Sequence, residues 1–170
     1  MTLTVEDGSG LTNADSYVSV ADCDTYHANH SGSTTWSGAT TANKEKALRL
    51  ATQYLDAKYE RRFVGVRFSL EQSLHWPRSY VQQYDIYSVS KTEVPSELKD
   101  ACCELALKQL SDTDLAPDIT NPGNIAEEEV SAGSVSSRTK YVGGGKGQTK
   151  EYTLVRYLLQ GLLRQGLERS

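Results

Sequence analysis

The residues that could do chemistry fall into a few groups. Cys23, His27 and His30 stand at i, i+4 and i+7, a spacing that lines up a thiol and two imidazoles along one side of a helix and could offer them to a soft divalent metal. A structural zinc site closes with four ligands and the local sequence supplies no fourth, so the set reads as the edge of a half-buried helix and no metal is expected. Residues 143–147, Gly-Gly-Gly-Lys-Gly, invite comparison with a phosphate-binding loop. The comparison fails because Lys146 is followed by Gly147 rather than Ser or Thr, and Lys140 stands where the first glycine belongs. His75 has no recognisable nucleophile or elbow around it, and Asp112, Asp114 and Asp118 read as helix-end and turn residues. Neither catalysis nor a cofactor is expected.

The richest constellation is aromatic and basic. Trp76, Arg78, Tyr80, Tyr84 and Tyr87 could stack bases while Arg61, Arg62, Arg67 and Arg78 engage phosphates, as in single-strand binders. The competing reading has Trp76 completing a core and the tyrosines meeting another subunit, since aromatics and Arg also dominate protein interfaces. Glu71, Asp85 and Glu93 interrupt the patch that counterion release requires, which favours the second reading and leaves nucleic-acid binding by Trp76, Arg78, Tyr80 and Tyr84 as the alternative.

Helices must position these residues. Ser19 as N-cap with Asp22 at the third helical position predicts a short helix from Val20 to Asn29. A Gly/Ser/Thr-rich loop, 31–41, follows. Ala47, Leu48, Ala51, Tyr54, Leu55 and Lys58 then recur at helical spacing and predict a helix over 43–60. Pro95, acceptable at a first helical position, opens a helix through Leu98, Ala101, Cys102, Leu105 and Ala106 to about residue 110. The last helix, 150–168, carries Tyr152, Val155, Leu158, Leu159, Leu162 and Leu163 on a broad stripe edged by Arg156, Arg164 and Arg169. It reads as a wall of the core, as a helix that docks in a partner's groove, or as both.

The connection 61–94 is too apolar for a free linker: it holds Phe63, Val66, Phe68, Leu70, Leu74 and Trp76. A helical turn over 71–76, ended by Pro77, would tuck Trp76 against the bundle. From 125 to 142 the composition shifts to Glu, Ser, Thr and Val, and a two-residue turn at Gly133-Ser134 sets Glu129 opposite Arg138 and Glu127 opposite Lys140. Such a polar ribbon is marginal alone and calls for a partner, so Glu127, Glu129, Val130, Val135, Arg138 and Lys140 are read as subunit-interface residues. Residues 143–147 become its flexible joint.

Composition sets the frame. The 170 residues are 38% hydrophobic, below the usual share of about 45–50%, which implies that part of the chain projects from the core. Residues 138–170 hold seven basic groups against two acidic ones, while residues 1–137 hold eleven against twenty. A basic tail on an acidic body points to an acidic surface as partner, and a neighbouring copy qualifies. Net charge −4 argues against a generally cationic nucleic-acid binder. Three cysteines, two of them adjacent, make a poor disulfide framework, and no run approaches the roughly 20 apolar residues of a membrane span. The N-terminus lacks the features of a signal peptide, so synthesis in a cytoplasm is expected. The expected fold is mainly α: a three- to four-helix bundle body over 1–124, a projecting β-hairpin arm with its glycine-rich joint over 125–148, and a C-terminal docking helix over 149–170.

Four blocks resemble a family of tailed-phage proteins. They are Val5-Glu6-Asp7-Gly8-Ser9-Gly10-Leu11 with Asn13-Ala14-Asp15-Ser16-Tyr17, then 47–59 with its Ala-Thr-x-Tyr-Leu-Asp core, then Gln72-Ser73-Leu74-His75-Trp76-Pro77-Arg78, and finally Val94-Pro95 through Ala106. Members are labelled DnaT-like single-stranded-DNA-binding proteins, and in helical layout they are similar to head–tail connector, or head-completion and adaptor, proteins. The connector resemblance implies a small helical bundle that assembles on itself beneath the portal ring, typically as twelve copies, in the virion neck. Double-stranded DNA would pass through the ring without sequence-specific binding, and the far face would receive a tail or further connector protein. It also implies that the C-terminal helix grips the portal, through Tyr152, Val155, Arg156, Leu158, Leu159, Leu162 and Leu163. The Trp76-Pro77-Arg78 block would be structural.

Overall fold

The computed structural model describes residues 2–30, 33–83, 87–111, 113–117, 127–132, 135–140 and 151–164. They form a mainly α protein with helices α1 (Val20–His30), α2 (Thr34–Ser37), α3 (Thr41–Tyr59), α4 (Ser96–Leu110) and α5 (Thr153–Leu159). Three antiparallel pairs of short strands accompany them: β1 (Val66–Arg67) with β2 (Arg78–Ser79), β3 (Gln82–Gln83) with β4 (Tyr87–Ser88), and β5 (Glu127–Ala132) with β6 (Val135–Lys140). The chain divides into two compact units, Met1–Leu115 with Tyr152–Ser170, and Ala116–Glu151. Among the described residues no helix is long and apolar enough to cross a membrane.

The larger unit is built on α3 against α4, with α5 packed against α4 and Tyr152 at its start edge-on to Tyr54 of α3. Thr40 caps α3 by accepting the Asn43 N–H at 3.3 Å. The helix buries Ala47, Leu48, Ala51, Leu55 and Tyr59 against Leu98, Ala101, Cys102, Leu105 and Ala106 of α4. Alanines on both faces let the two backbones approach, and each fully buried leucine contributes about 1.5–3 kcal/mol. Ser19 caps α1 as the sequence predicts, its hydroxyl accepting the Asp22 N–H at 3.1 Å. The smaller unit holds the ribbon, whose register is the expected one: Glu127 stands opposite Lys140 and Glu129 opposite Arg138.

Several elements differ from expectation, each for a physical reason. Residues 31–41 are not a plain loop: α2 forms there because Trp36 is buried and its indole N–H donates to Asp24 at 2.7 Å. Pro95 lies one position before α4, where its carbonyl accepts the Leu98 and Lys99 N–H groups. No helical turn forms over 71–76. The Gln72 side chain shapes that segment instead, accepting the Ser69 N–H at 2.7 Å and donating to the carbonyls of Leu74 and Pro77. The stretch after Trp76, polar and without clear periodicity in the sequence, supplies β2, β3 and β4.

The last helix is shorter than 150–168. After α5 and a tight turn, Gln160–Leu162, the chain turns extended because the backbone around Phe63 competes for its hydrogen bonds. Val64 donates to the Leu162 carbonyl at 3.0 Å, Arg164 donates to the Arg62 carbonyl at 2.7 Å, and Leu163 pairs antiparallel with Phe63. At the other end of α5 the Tyr152 hydroxyl reaches the Asp114 carbonyl at 3.5 Å. The turn at Gly133-Ser134, the joint 143–147, Tyr84, Asp85, Asp112, Asp118 and Arg169 lie outside the described residues.

Candidate functional site

The Trp76-Pro77-Arg78 block is the most heavily tied segment of the larger unit. Trp76 is fully buried, edge-on to Phe63 with ring centres 5.8 Å apart, and the Trp76–Pro77 peptide is cis. Tyr17, from the N-terminal block, donates its hydroxyl to Asp56 of α3. The Tyr17 oxygen in turn accepts the N–H groups of His75 at 3.1 Å and Trp76 at 3.3 Å, while the other Asp56 oxygen accepts that of His75 at 3.1 Å. Burial raises the Asp56 carboxyl above its ordinary pKa. The Tyr17 phenol is held well above its own, by burial first and then by the Asp56 charge. A polar knot between three chain segments thus fixes the backbone on which Trp76 enters the core.

Arg78 is equally committed. Its Nε donates to the Val64 carbonyl at 2.7 Å, Nη2 to Gly65 at 2.8 Å and Nη1 to His75 at 3.3 Å. Burial lowers its pKa, and Arg164 and Arg67 lie close enough to add repulsion. Trp76 and Arg78 therefore cannot serve as a base-stacking ring and a phosphate ligand: one has no surface to offer and the donors of the other are engaged by backbone.

The block 5–11 proves to be a turn wrapped around a carboxylate, a role that sequence reasoning missed. Glu6 is buried, and its Oε1 accepts the N–H groups of Gly8 and Gly10 while Oε2 accepts that of Leu11, each at 2.9 Å. Gly8 has φ +99°, and a Cβ there would lie 2.2 Å from the Thr92 carbonyl oxygen. The signal was present as an acid followed by two glycines in alternation, the pattern of a backbone nest closing on an anion.

The thiol and imidazoles of α1 do not converge on a metal. His27 Nε2 meets the Cys103 carbonyl at 3.2 Å, and His30 Nδ1 meets the Tyr26 carbonyl at 2.9 Å with its ring stacked on Tyr26. Burial lowers the His27 pKa. Cys103 is held far above the ordinary thiol range, first by its hydrogen bond with Cys23 and then by burial. Among the described residues no group of three or more His, Cys, Asp or Glu could hold a metal ion. A cleft of about 310 Å³ beside His27 is lined by Trp36, Asp24 and Lys44, but Lys44 pairs with Asp24 at 2.8 Å.

The stripe of the last helix lies largely inside. Val155, Leu159, Leu162 and Leu163 are buried, Tyr152 and Leu158 half-buried, and Arg156 exposed. A docking face on this helix is left to Leu154, Arg156 and Tyr157. For Glu127, Glu129, Val130, Val135, Arg138 and Lys140 the structure gives the pairing of the two strands.

Large side chains do gather outside, on the connection that follows α3. Tyr80 is 90% exposed with φ +59°, Leu70 is 95% and Tyr87 67% exposed, and Val66 stands out beside them in the sequence. A groove of about 700 Å³ runs among Phe68, Tyr80, Val81, Ser88 and Lys91. Arg61, Arg62 and Arg164 are also exposed, and the bridge from Phe63 to Leu163 brings the last of them to the first two. Sequence spacing could not have joined residues a hundred positions apart.

Over residues 1–170 the chain matches the family model described as "Putative DnaT-like ssDNA binding protein", and it belongs to that family. No curated protein and no solved structure matches it.

Proposed function

We propose that this family member is a structural head–tail adaptor of a tailed bacteriophage, made in the host cytoplasm and resident in the virion neck. Copies form a ring below the portal, extend the DNA channel and give the tail its attachment surface; no catalysis is involved. The observation that carries the reading is the β5–β6 ribbon. A two-stranded ribbon leaves a row of unpaired backbone groups on each outer edge and is marginal by itself, so a neighbouring copy that adds strands edge to edge satisfies it. The commitment of Trp76 and Arg78 to the interior supports the same reading. In this reading the portal meets the outer face of α5, Leu154, Arg156 and Tyr157, rather than its buried leucines.

The experiment is electron microscopy of the purified full chain, alone and mixed with the portal ring encoded with it. The expected result is added density at one end of the portal, reduced when Glu127 and Glu129 are both changed to Lys. Portal rings that stay bare with folded protein in excess would overturn the proposal.

A second reading, single-stranded-DNA binding as a replication accessory, is favoured by the family description and by the exposed Tyr80 and Tyr87 together with exposed arginines. Salt-dependent binding of an oligonucleotide by the isolated protein is its test.

A further inference from the structure

Three segments converge at the C-terminal end of α3. Residues 61–64 pair with 162–164 through two backbone hydrogen bonds, Val64 to Leu162 at 3.0 Å and Arg164 to Arg62 at 2.7 Å. Val66 and Arg67 pair with Ser79 and Arg78, and a Cβ on Gly65 would lie 2.4 Å from the Ser79 carbonyl oxygen and 3.3 Å from the Tyr80 carbonyl carbon. β3 packs against the turn Gln160–Leu162, which closes the triangle.

The corner so formed carries Arg61, Arg62 and Arg164, all exposed, and none is in an ion pair among the described residues. The partial negative charge at the end of α3 accounts for cations at 61 and 62. It does not account for Arg164, brought from the far end of the chain to the same place, nor for Arg67 beside it. Of the acids near this corner Asp56 is engaged by Tyr17 and His75, while Glu60, Glu71 and Glu93 are exposed and form no ion pair with these arginines among the described residues. Next to the cations, Tyr80 points out from a left-handed backbone and Tyr87 follows on β4, and Lys91 lies over the Phe68 ring at 5.9 Å.

Arg62 lies over the Tyr59 ring at 5.7 Å, and exposed guanidinium groups near exposed phenol rings suit a polymer that alternates phosphates with flat bases. A protein partner would also satisfy arginines and rings, since both recur at interfaces, and it is the family description that favours a nucleic acid. We propose that this corner holds a single strand of nucleic acid, with Arg61, Arg62 and Arg164 on phosphates and Tyr80 and Tyr87 stacked on bases. The assignment rests on the single-strand reading of function and moves its site from Trp76 and Arg78 to the surface.

The test is fluorescence anisotropy of a labelled oligothymidylate of about 16 nucleotides with the full chain at low and moderate salt. Changing Arg61, Arg62 and Arg164 together to Ala should weaken binding about 100-fold at low salt and flatten the salt slope by about 2, three phosphate contacts at roughly 0.7 each. Tyr80→Asn, which removes the ring from a left-handed position that Asn tolerates, should cost about tenfold, as should Tyr87→Ala. Unchanged circular dichroism in each variant establishes that it folds. Wild-type binding that all these variants retain overturns the site while leaving the single-strand reading intact. Absence of wild-type binding at low salt overturns both. Equal affinity for poly-L-glutamate, with the tyrosine variants unaffected, overturns the nucleic-acid assignment in favour of an acidic protein partner.

Discussion

Trp76 and Tyr80 are four residues apart, yet one is sealed in the core and the other is 90% exposed. The difference lies in what holds the backbone on either side. Before Arg78 the backbone is claimed: Tyr17 and Asp56, from distant segments, seize the N–H groups of residues 75 and 76, and Gln72 and Arg78 take carbonyls. After Ser79 the chain passes into short strand pairs: β3 meets the turn Gln160–Leu162 and Gln83 donates to Glu97, but the rings of Tyr80 and Tyr87 on either side stay exposed. Residue type is thus a poor guide to role here. An aromatic is structural where the backbone beneath it is claimed, and available to a ligand where it is not.

Substitutions can break or sharpen this contrast. The largest effect is expected for Trp76→Ala, a loss of about 3–5 kcal/mol in urea unfolding, because the cavity among Phe63 and its neighbours cannot collapse. A much smaller loss would put Trp76 on the exposed side of the comparison. Glu6→Ala strips three N–H groups of their common acceptor and should cost about 3 kcal/mol by the same measurement. Tyr17→Phe keeps the ring but leaves the Trp76 N–H without its acceptor, for about 1–3 kcal/mol.

A pH effect of lesser size belongs to His27. Burial holds its folded pKa below the ordinary imidazole value of about 6.5, so at pH under 6.5 the unfolded chain takes up a proton that the folded chain refuses. Stability should therefore fall as pH drops from 6.5 toward the folded value, by at most about 1.4 kcal/mol per pH unit, and His27→Gln should remove that slope in thermal melts. Asp56 has the opposite sign. Burial raises its pKa, so its contribution is complete below the ordinary carboxyl value of about 3.9 and lost as pH rises through the folded value. Least affected should be Tyr80→Asn, within about 0.5 kcal/mol of the parent, the mark of a ring that supports no fold.

What the sequence disclosed was local. The helical spacing of Ala47, Leu48, Ala51 and Leu55, the Ser19 cap and the charge alternation of the ribbon each depend on residues close in the chain, and α1, α3, α4 and the β5–β6 register follow them. Trp36 escaped because the Ser, Gly and Thr around it mask one anchoring ring, whose partner Asp24 stands twelve residues earlier. The end of α5 escaped because the backbone at Phe63 stops it, and that lies a hundred residues away. The candidate corner was half legible: Arg61, Arg62, Tyr80 and Tyr87 were marked by type, whereas Arg164 joins them only through that long-range pairing.

The contact between Tyr152 and the Asp114 carbonyl has an evolutionary consequence. Asp114 and Tyr152 stand 38 positions apart in the chain yet belong to one compact unit, so insertions or deletions between 116 and 151 leave both residues of this bond in place. Length changes there are the ones that relatives are expected to carry most readily.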